Sequence, residues 1–301
     1  MILDTVRNET DLIEHRSEDG EFRRVSAEFV ESVRRHFGEY VRFVVTSGTF
    51  AYGGATKGKS DVDILVVCED KIAEMPRQDL FAQLRAFIED YVEIHTRHDY
   101  CPDTTFPGEY ITKSNVEDAL AGRGFHLTEE GTLHLPVASD DYYMQDPERW
   151  YRAWRSALAF GKCLYGSEEK FDEVKNQAWE TIILYVLLQR NLTSINPFAL
   201  FDVMIDPENK WNGIGVTAKY KNFREDEKVY IESALLRLSA KGFLSLVEDD
   251  TYVPNMQKVK EWETGLVTKL RDGSIKKASF LMTLDEAKEL AQLAISKISN
   301  Q

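Results

Sequence analysis

The sequence predicts an α+β protein: an N-terminal mixed sheet with flanking helices, then a mainly helical part containing a winged-helix-like segment. Three observations predict it. Two short apolar runs rich in valine, at 41–45 and 61–67, read as strands on either side of a glycine-rich stretch. Apolar residues at three- and four-residue steps frame them. Beyond residue 150 that helical spacing dominates. A chain of 301 residues can hold two units, and we expect them at 1–138 and 139–301.

Residues 1–20 are polar and read as a loose lead-in. Phe22, Val25, Phe29, Val33 and Phe37 predict a helix over 21–37, ended by Gly38. A second helix covers 77–98, with Phe81, Leu84, Ile88, Tyr91 and His95 on one face, Pro76 near its start and Pro102 beyond its end. His95, Arg97 and His98 lack further ligands at metal spacing, so they read as a cluster at the negative end of the helix dipole. Residues 105–112 read as a short strand, with Pro107 placing it at an edge or first turn. Ser114 or Asn115 caps a helix ended by Gly122, and Arg123 between two glycines reads as turn chemistry in preference to a phosphate contact. Residues 125–137 predict a hairpin around Glu130-Gly131, and 139–150 an acidic, aromatic linker.

Helices are then expected over 150–164 and 171–192, and a short one from Asn196-Pro197. Residues 211–223 read as a loop with weak strand character. A strong helix over 224–241 is followed by two short strands around Asp249-Asp250. Helix, helix, hairpin is the order of a winged helix, a common DNA reader. Here Lys228, Arg237 and Lys241 are balanced by Glu225, Asp226, Glu227 and Glu232, which favours a structural wing or a lid. Helices at 257–270 and 284–298 close the chain, the last with a capping box of Thr283 and Glu286.

The chemistry concentrates in residues 46–67, TSGTFAYGGATKGKSDVDILVV. Gly48, Gly53, Gly54 and Gly58 give a loop whose backbone can approach a ligand closely. Asp61 and Asp63, two apart on a strand, point the same way and repel each other. A shared divalent cation relieves that repulsion, and all-oxygen ligands suit Mg²⁺.

Gly48-Thr49, Ala51, Gly53 and Ser60-Asp61-Val62-Asp63 resemble the signature of the DNA polymerase beta-like nucleotidyltransferase superfamily, closest to the small antibiotic nucleotidyltransferases of the aminoglycoside type. Thr49 stands where serine is commoner and keeps the hydroxyl. The resemblance implies transfer of a nucleoside monophosphate from an NTP to an acceptor hydroxyl, with pyrophosphate released. It implies that Asp61 and Asp63 hold two Mg²⁺ ions, and that Gly48 and Thr49 bind the triphosphate through backbone N–H and hydroxyl groups. Ser60, Lys57 and Lys59 lie on the same loop and are carried over as nucleotide-binding positions. A third carboxylate is implied on the next strand, as metal ligand or general base. Glu109 is preferred. Glu93 fits if YVEIH were a strand, and Asp103 sits in the connecting loop. Lys175, near the start of a helix, is a weaker candidate for a nucleotide contact.

Acidic residues number 51 against 37 basic, a net charge of −14, which argues against a protein that neutralises many duplex phosphates. It is compatible with a small cationic acceptor such as an aminoglycoside; an RNA end would call for a basic track. Cys68, Cys101 and Cys163 show no paired spacing, which fits a reducing cytoplasm and no zinc motif. The start lacks a charged-then-apolar signal, and no run of about eighteen apolar residues occurs, so a cytoplasmic protein without a membrane span is expected. A different class also fits: a non-catalytic nucleotide-binding regulator that meets DNA or protein through the winged segment. The intact Asp61 and Asp63 speak against it.

Overall fold

The computed structural model describes residues 19–104, 109–134, 143–205, 221–248, 250–275 and 279–299. The loose segment read at the N-terminus to residue 18, the start of the strand read at 105–108, the linker at 139–142 and the loop at 211–220 lie outside these residues. Contacts divide the chain into two compact units. One takes Arg16–Gly124, Ala138–Phe171 and Lys277–Gln301; the other takes Met1–His15, Phe125–Val137 and Asp172–Lys276.

The first unit is built on a mixed four-stranded sheet in the order β3-β2-β1-β6. β1 (Val41–Thr46) pairs antiparallel with β2 (Ile64–Cys68), and β2 pairs parallel with β3 (Glu109–Thr112). α1 (Asp19–Phe37) and α3 (Arg77–Arg97) lie where the periodicity puts them; α2 (Gly48–Ala51) is a single turn. Phe37, Phe87 and Tyr110 meet in a three-ring cluster, with centroids 5.4–5.7 Å apart. Such contacts are worth about 1 kcal/mol each beyond the area they bury. The Tyr110 hydroxyl in this core has no hydrogen-bond partner among the described residues. A buried donor left unpaired costs about 1–3 kcal/mol, so Tyr110→Phe is expected to leave the thermal midpoint unchanged or raise it. A fall of several degrees would show that the hydroxyl is partnered.

Two local expectations are corrected. α4 (Lys113–Leu120) is capped by Thr112, not by Ser114 or Asn115. The Thr112 hydroxyl accepts the Asn115 N–H at 3.2 Å and the Asn115 side chain answers at 3.0 Å, so Asn115 is the far half of the box. The helix from Trp150 stops at Phe160 (α5), and the chain returns as β6 (Lys162–Gly166), antiparallel to β1. Gly161 makes the change of direction. A Cβ there would strike the Ala157 carbonyl and the Val45 side chain. The sheet thus takes its fourth strand from beyond residue 138. α10 (Leu284–Ser299) packs on α3, with Arg77 held by Glu286 and by the Leu281 carbonyl, and Arg85 held by Glu289. The Thr283–Glu286 capping box is present at 2.7 and 3.2 Å.

In the second unit, β4 (His126–Leu127) and β5 (Leu133–His134) form the expected hairpin. α6 (Glu168–Arg190), α7 (Pro197–Ile205), α8 (Lys221–Ala240), the hairpin of β7 (Leu244–Glu248) and β8 (Thr251–Pro254), and α9 (Met256–Asp272) follow. α7, α8 and the β7–β8 hairpin keep the winged-helix order. Phe125, Leu133, Tyr185, Leu266, Val267 and Ile275 form one of its apolar clusters. Lys175 lies inside this unit: its Nζ donates to Glu227 Oε1 at 2.6 Å and sits over the Tyr230 ring. The Trp179 indole donates to the other Glu227 oxygen at 3.0 Å. A lysine enclosed by these partners is not the exposed helix residue that a nucleotide contact requires. Among the described residues no helix is long and apolar enough to cross a membrane.

Candidate active site

The polypeptide turns from β1 into α2 at Ser47-Gly48. Gly48 adopts φ +67°, and a Cβ at this position would collide with the Asp63 carboxylate. Glycine is therefore required twice over, by the left-handed backbone and by the close approach. The Ser47 N–H donates to the Asp63 carbonyl at 3.2 Å, and the Gly54 N–H to the Thr49 carbonyl at 2.8 Å. These bonds fix the glycine turn against the Asp-x-Asp segment.

Asp61 and Asp63 precede β2; the strand starts at Ile64, not at Asp61 as expected. The physical reason is His95. Its Nε2 accepts the Val62 N–H at 2.9 Å, which takes the bond a neighbouring strand would have supplied. Its Nδ1 donates to the Tyr91 carbonyl at 2.8 Å, so the ring is neutral with the proton on Nδ1. Burial pushes its pKa down to about 4. The helix-end cluster is thus split. His95 points inward, while Arg97 and His98 meet Glu28 of α1 at 2.7 and 2.9 Å.

The loop before Asp61 is tied to the end of α3. The Gly58 N–H donates to the Asp99 carbonyl at 2.6 Å, and the Cys101 N–H to the Ser60 carbonyl at 2.9 Å. The Ser60 hydroxyl accepts the Thr56 N–H at 2.8 Å, so it closes the loop. Lys57 pairs with Glu21 at 2.9 Å, and Lys59 is exposed.

Four carboxylates act on one another. Glu109 opens β3 and pairs in register with Leu65, two residues after Asp63, so alternation puts both carboxylates on one face of the sheet. Asp63 is raised well above the usual carboxylate range by burial, then by the charges of Asp61, Glu109 and Asp103. Asp61 is raised by burial and by Asp103. Burial and Asp103 push Glu109 up to about 8. Asp63 keeps exposed surface, so solvent tempers its rise, and the direction is what the geometry supports.

Of the three positions considered for a third carboxylate, Glu93 is exposed on α3 and pairs with Arg97, away from this group. Glu109 and Asp103 both belong to it. Sequence reasoning placed His95 on the apolar face of its helix and assigned it to the helix-end cluster, not to the Asp-x-Asp segment; a polar ring in an apolar stripe was the available signal.

The donor set suits a hard divalent cation: all oxygen and mutually repelling. Among the described residues no three such side chains stand at ligand spacing. No curated protein matches the chain. Residues 26–119 match the family described as nucleotidyltransferase domain, a stretch that runs from α1 to α4 and contains the glycine turn and all four carboxylates. That match is consistent with the polymerase beta-like superfamily, whose signature Gly48-Thr49 and Asp61-Val62-Asp63 resemble.

Proposed function

We propose that this protein transfers a nucleoside monophosphate from an NTP to an acceptor hydroxyl in a reaction that needs divalent metal, and that the acceptor is a small cationic molecule. The reading rests on the carboxylate group of Asp61, Asp63, Asp103 and Glu109, next to a glycine turn inside a nucleotidyltransferase domain. Asp61 and Asp63 would hold Mg²⁺, with Glu109 as the third ligand or, alternatively, as general base. When bound, Mg²⁺ supplies charge stabilisation for an in-line displacement at phosphorus.

The backbone at Gly48 and Thr49 and the Thr49 hydroxyl would bind the triphosphate. Glu109, raised toward neutral pH, suits a general base: it takes the proton of the acceptor hydroxyl as that oxygen bonds to the α-phosphorus. The bond from the α-phosphorus to the bridging oxygen breaks, and its electron pair leaves with pyrophosphate. The excess of acidic residues favours a cationic acceptor, and the segment beyond residue 138 is proposed to select it.

The test is incubation with each α-labelled NTP and Mg²⁺, beside Asp63→Asn, with aminoglycosides, cell protein and tRNA as acceptors. Label is expected on the aminoglycosides, and only with Asp63 intact. Label on tRNA or protein would overturn the acceptor. No label anywhere, with duplex DNA shifted on a gel, would favour the regulator class.

A further inference from the structure

We propose that Tyr91 and His95, one turn apart on α3, are positioning residues that set where the two carboxylate-bearing segments stand. The proposal rests on the nucleotidyltransferase reading above for its consequence, and on hydrogen bonds and packing for its geometry.

His95 is fully buried, and its Nε2 takes the N–H of Val62, the residue between Asp61 and Asp63. Val62 is also fully buried. A buried backbone N–H must be satisfied, and β2 begins two residues later, so His95 stands in for a strand neighbour. The opposite ring nitrogen, bonded to the Tyr91 carbonyl, fixes which nitrogen can accept. Tyr91 serves the other segment. Its hydroxyl accepts the Asp103 N–H at 3.1 Å, in the connection that leads to Glu109.

The two rings lie 4.1 Å apart, and Phe29 of α1 packs on both at 5.3 and 5.9 Å. The rings of Tyr91, His95 and Phe29 pack on one another. One rigid face of α3 therefore holds the Asp61–Asp63 backbone and the Asp103 backbone at a fixed separation. Partners that orient ligating groups typically change metal affinity by about 10–100-fold when removed.

The chemistry of the acceptor gives a specific test. His95→Phe keeps an aromatic ring and removes the acceptor; His95→Gln removes the ring and restores an acceptor oxygen; Tyr91→Phe removes one hydroxyl. Three quantities are read: amide exchange at Val62 and Asp103 by NMR, Mn²⁺ affinity by EPR titration, and the thermal midpoint. For His95→Phe we expect Val62 exchange to rise more than tenfold and Mn²⁺ affinity to fall about tenfold, with His95→Gln recovering part of both. For Tyr91→Phe we expect faster exchange at Asp103 and weaker Mn²⁺ binding, with the midpoint close to wild type.

Wild-type exchange and Mn²⁺ affinity in folded His95→Phe would overturn the proposal, as would equal losses in His95→Phe and His95→Gln. Where His95→Phe fails to fold, Tyr91→Phe decides: unchanged Asp103 exchange and Mn²⁺ affinity overturn it. Absence of Mn²⁺ binding in the wild type would instead sink the nucleotidyltransferase reading, while the exchange rates still decide the positioning role.

Discussion

Asp63→Asn is expected to lower metal-dependent nucleotidyl transfer by about 10³-fold or more while leaving the metal-free fold at least as stable as the wild type. The two effects have opposite signs for one reason. Asp63 lies among the charges of Asp61, Glu109 and Asp103, and burial opposes its ionisation. In the absence of a cation its charge is a cost, and asparagine removes the charge at nearly constant volume. With a cation bound the same charge is the ligand, and asparagine is a poorer one. Single-turnover transfer and the denaturation midpoint in EDTA measure the two arms. A midpoint several degrees below wild type would mark Asp63 as a structural residue, and retained transfer would remove it from the site.

Glu109 carries the second expectation, a fall in stability with rising pH in the metal-free protein. Burial, then Asp103, raises its carboxyl from 4.5 to about 8. The folded state therefore keeps a proton that the unfolded chain gives up. Its contribution is fully present below about 4.5, declines as pH rises, and is lost once pH passes about 8. After allowance for its partial exposure, the change between pH 5 and pH 9 is roughly 2–3 kcal/mol. Asp61 and Asp63 shift in the same direction and steepen the slope. Urea titrations in EDTA across this range should show the decline, and Glu109→Gln should flatten it. Millimolar Mg²⁺ should flatten it too, by favouring the ionised carboxylates in the folded state. A wild-type slope in Glu109→Gln would mean that Glu109 ionises normally in the fold.

Much of this site was legible because its signal is local. The glycine turn and the Asp-x-Asp pair lie within one stretch of chain, Asp61 and Asp63 stand only two positions apart, and the charge of Asp61 acts on Asp63. What the chain alone could not show depends on partners distant in sequence. The strand stops short of Asp61 because His95, 33 residues away from Val62, takes the ladder bond. β6 is short, begins with lysine and ends with glycine, and follows a strongly periodic helix; its strand character comes from pairing with β1. The cap of α4 moved to Thr112 because a box needs its two halves three residues apart, and Asn115 supplies the second half. Lys175 carries no sequence mark of burial, since its counter-charge Glu227 lies on a different helix.

The docking of α10 on α3 has a consequence for biosynthesis. The helix that presents Tyr91 and His95 is itself held on its outer side by Glu286 and Glu289, which pair with Arg77 and Arg85. Those partners leave the ribosome 209 and 204 residues after Arg77 and Arg85, and β6 emerges well after β1, which it flanks. A nascent chain carries the glycine turn and all four carboxylates long before either support exists. The unit is thus expected to mature only after translation of α10.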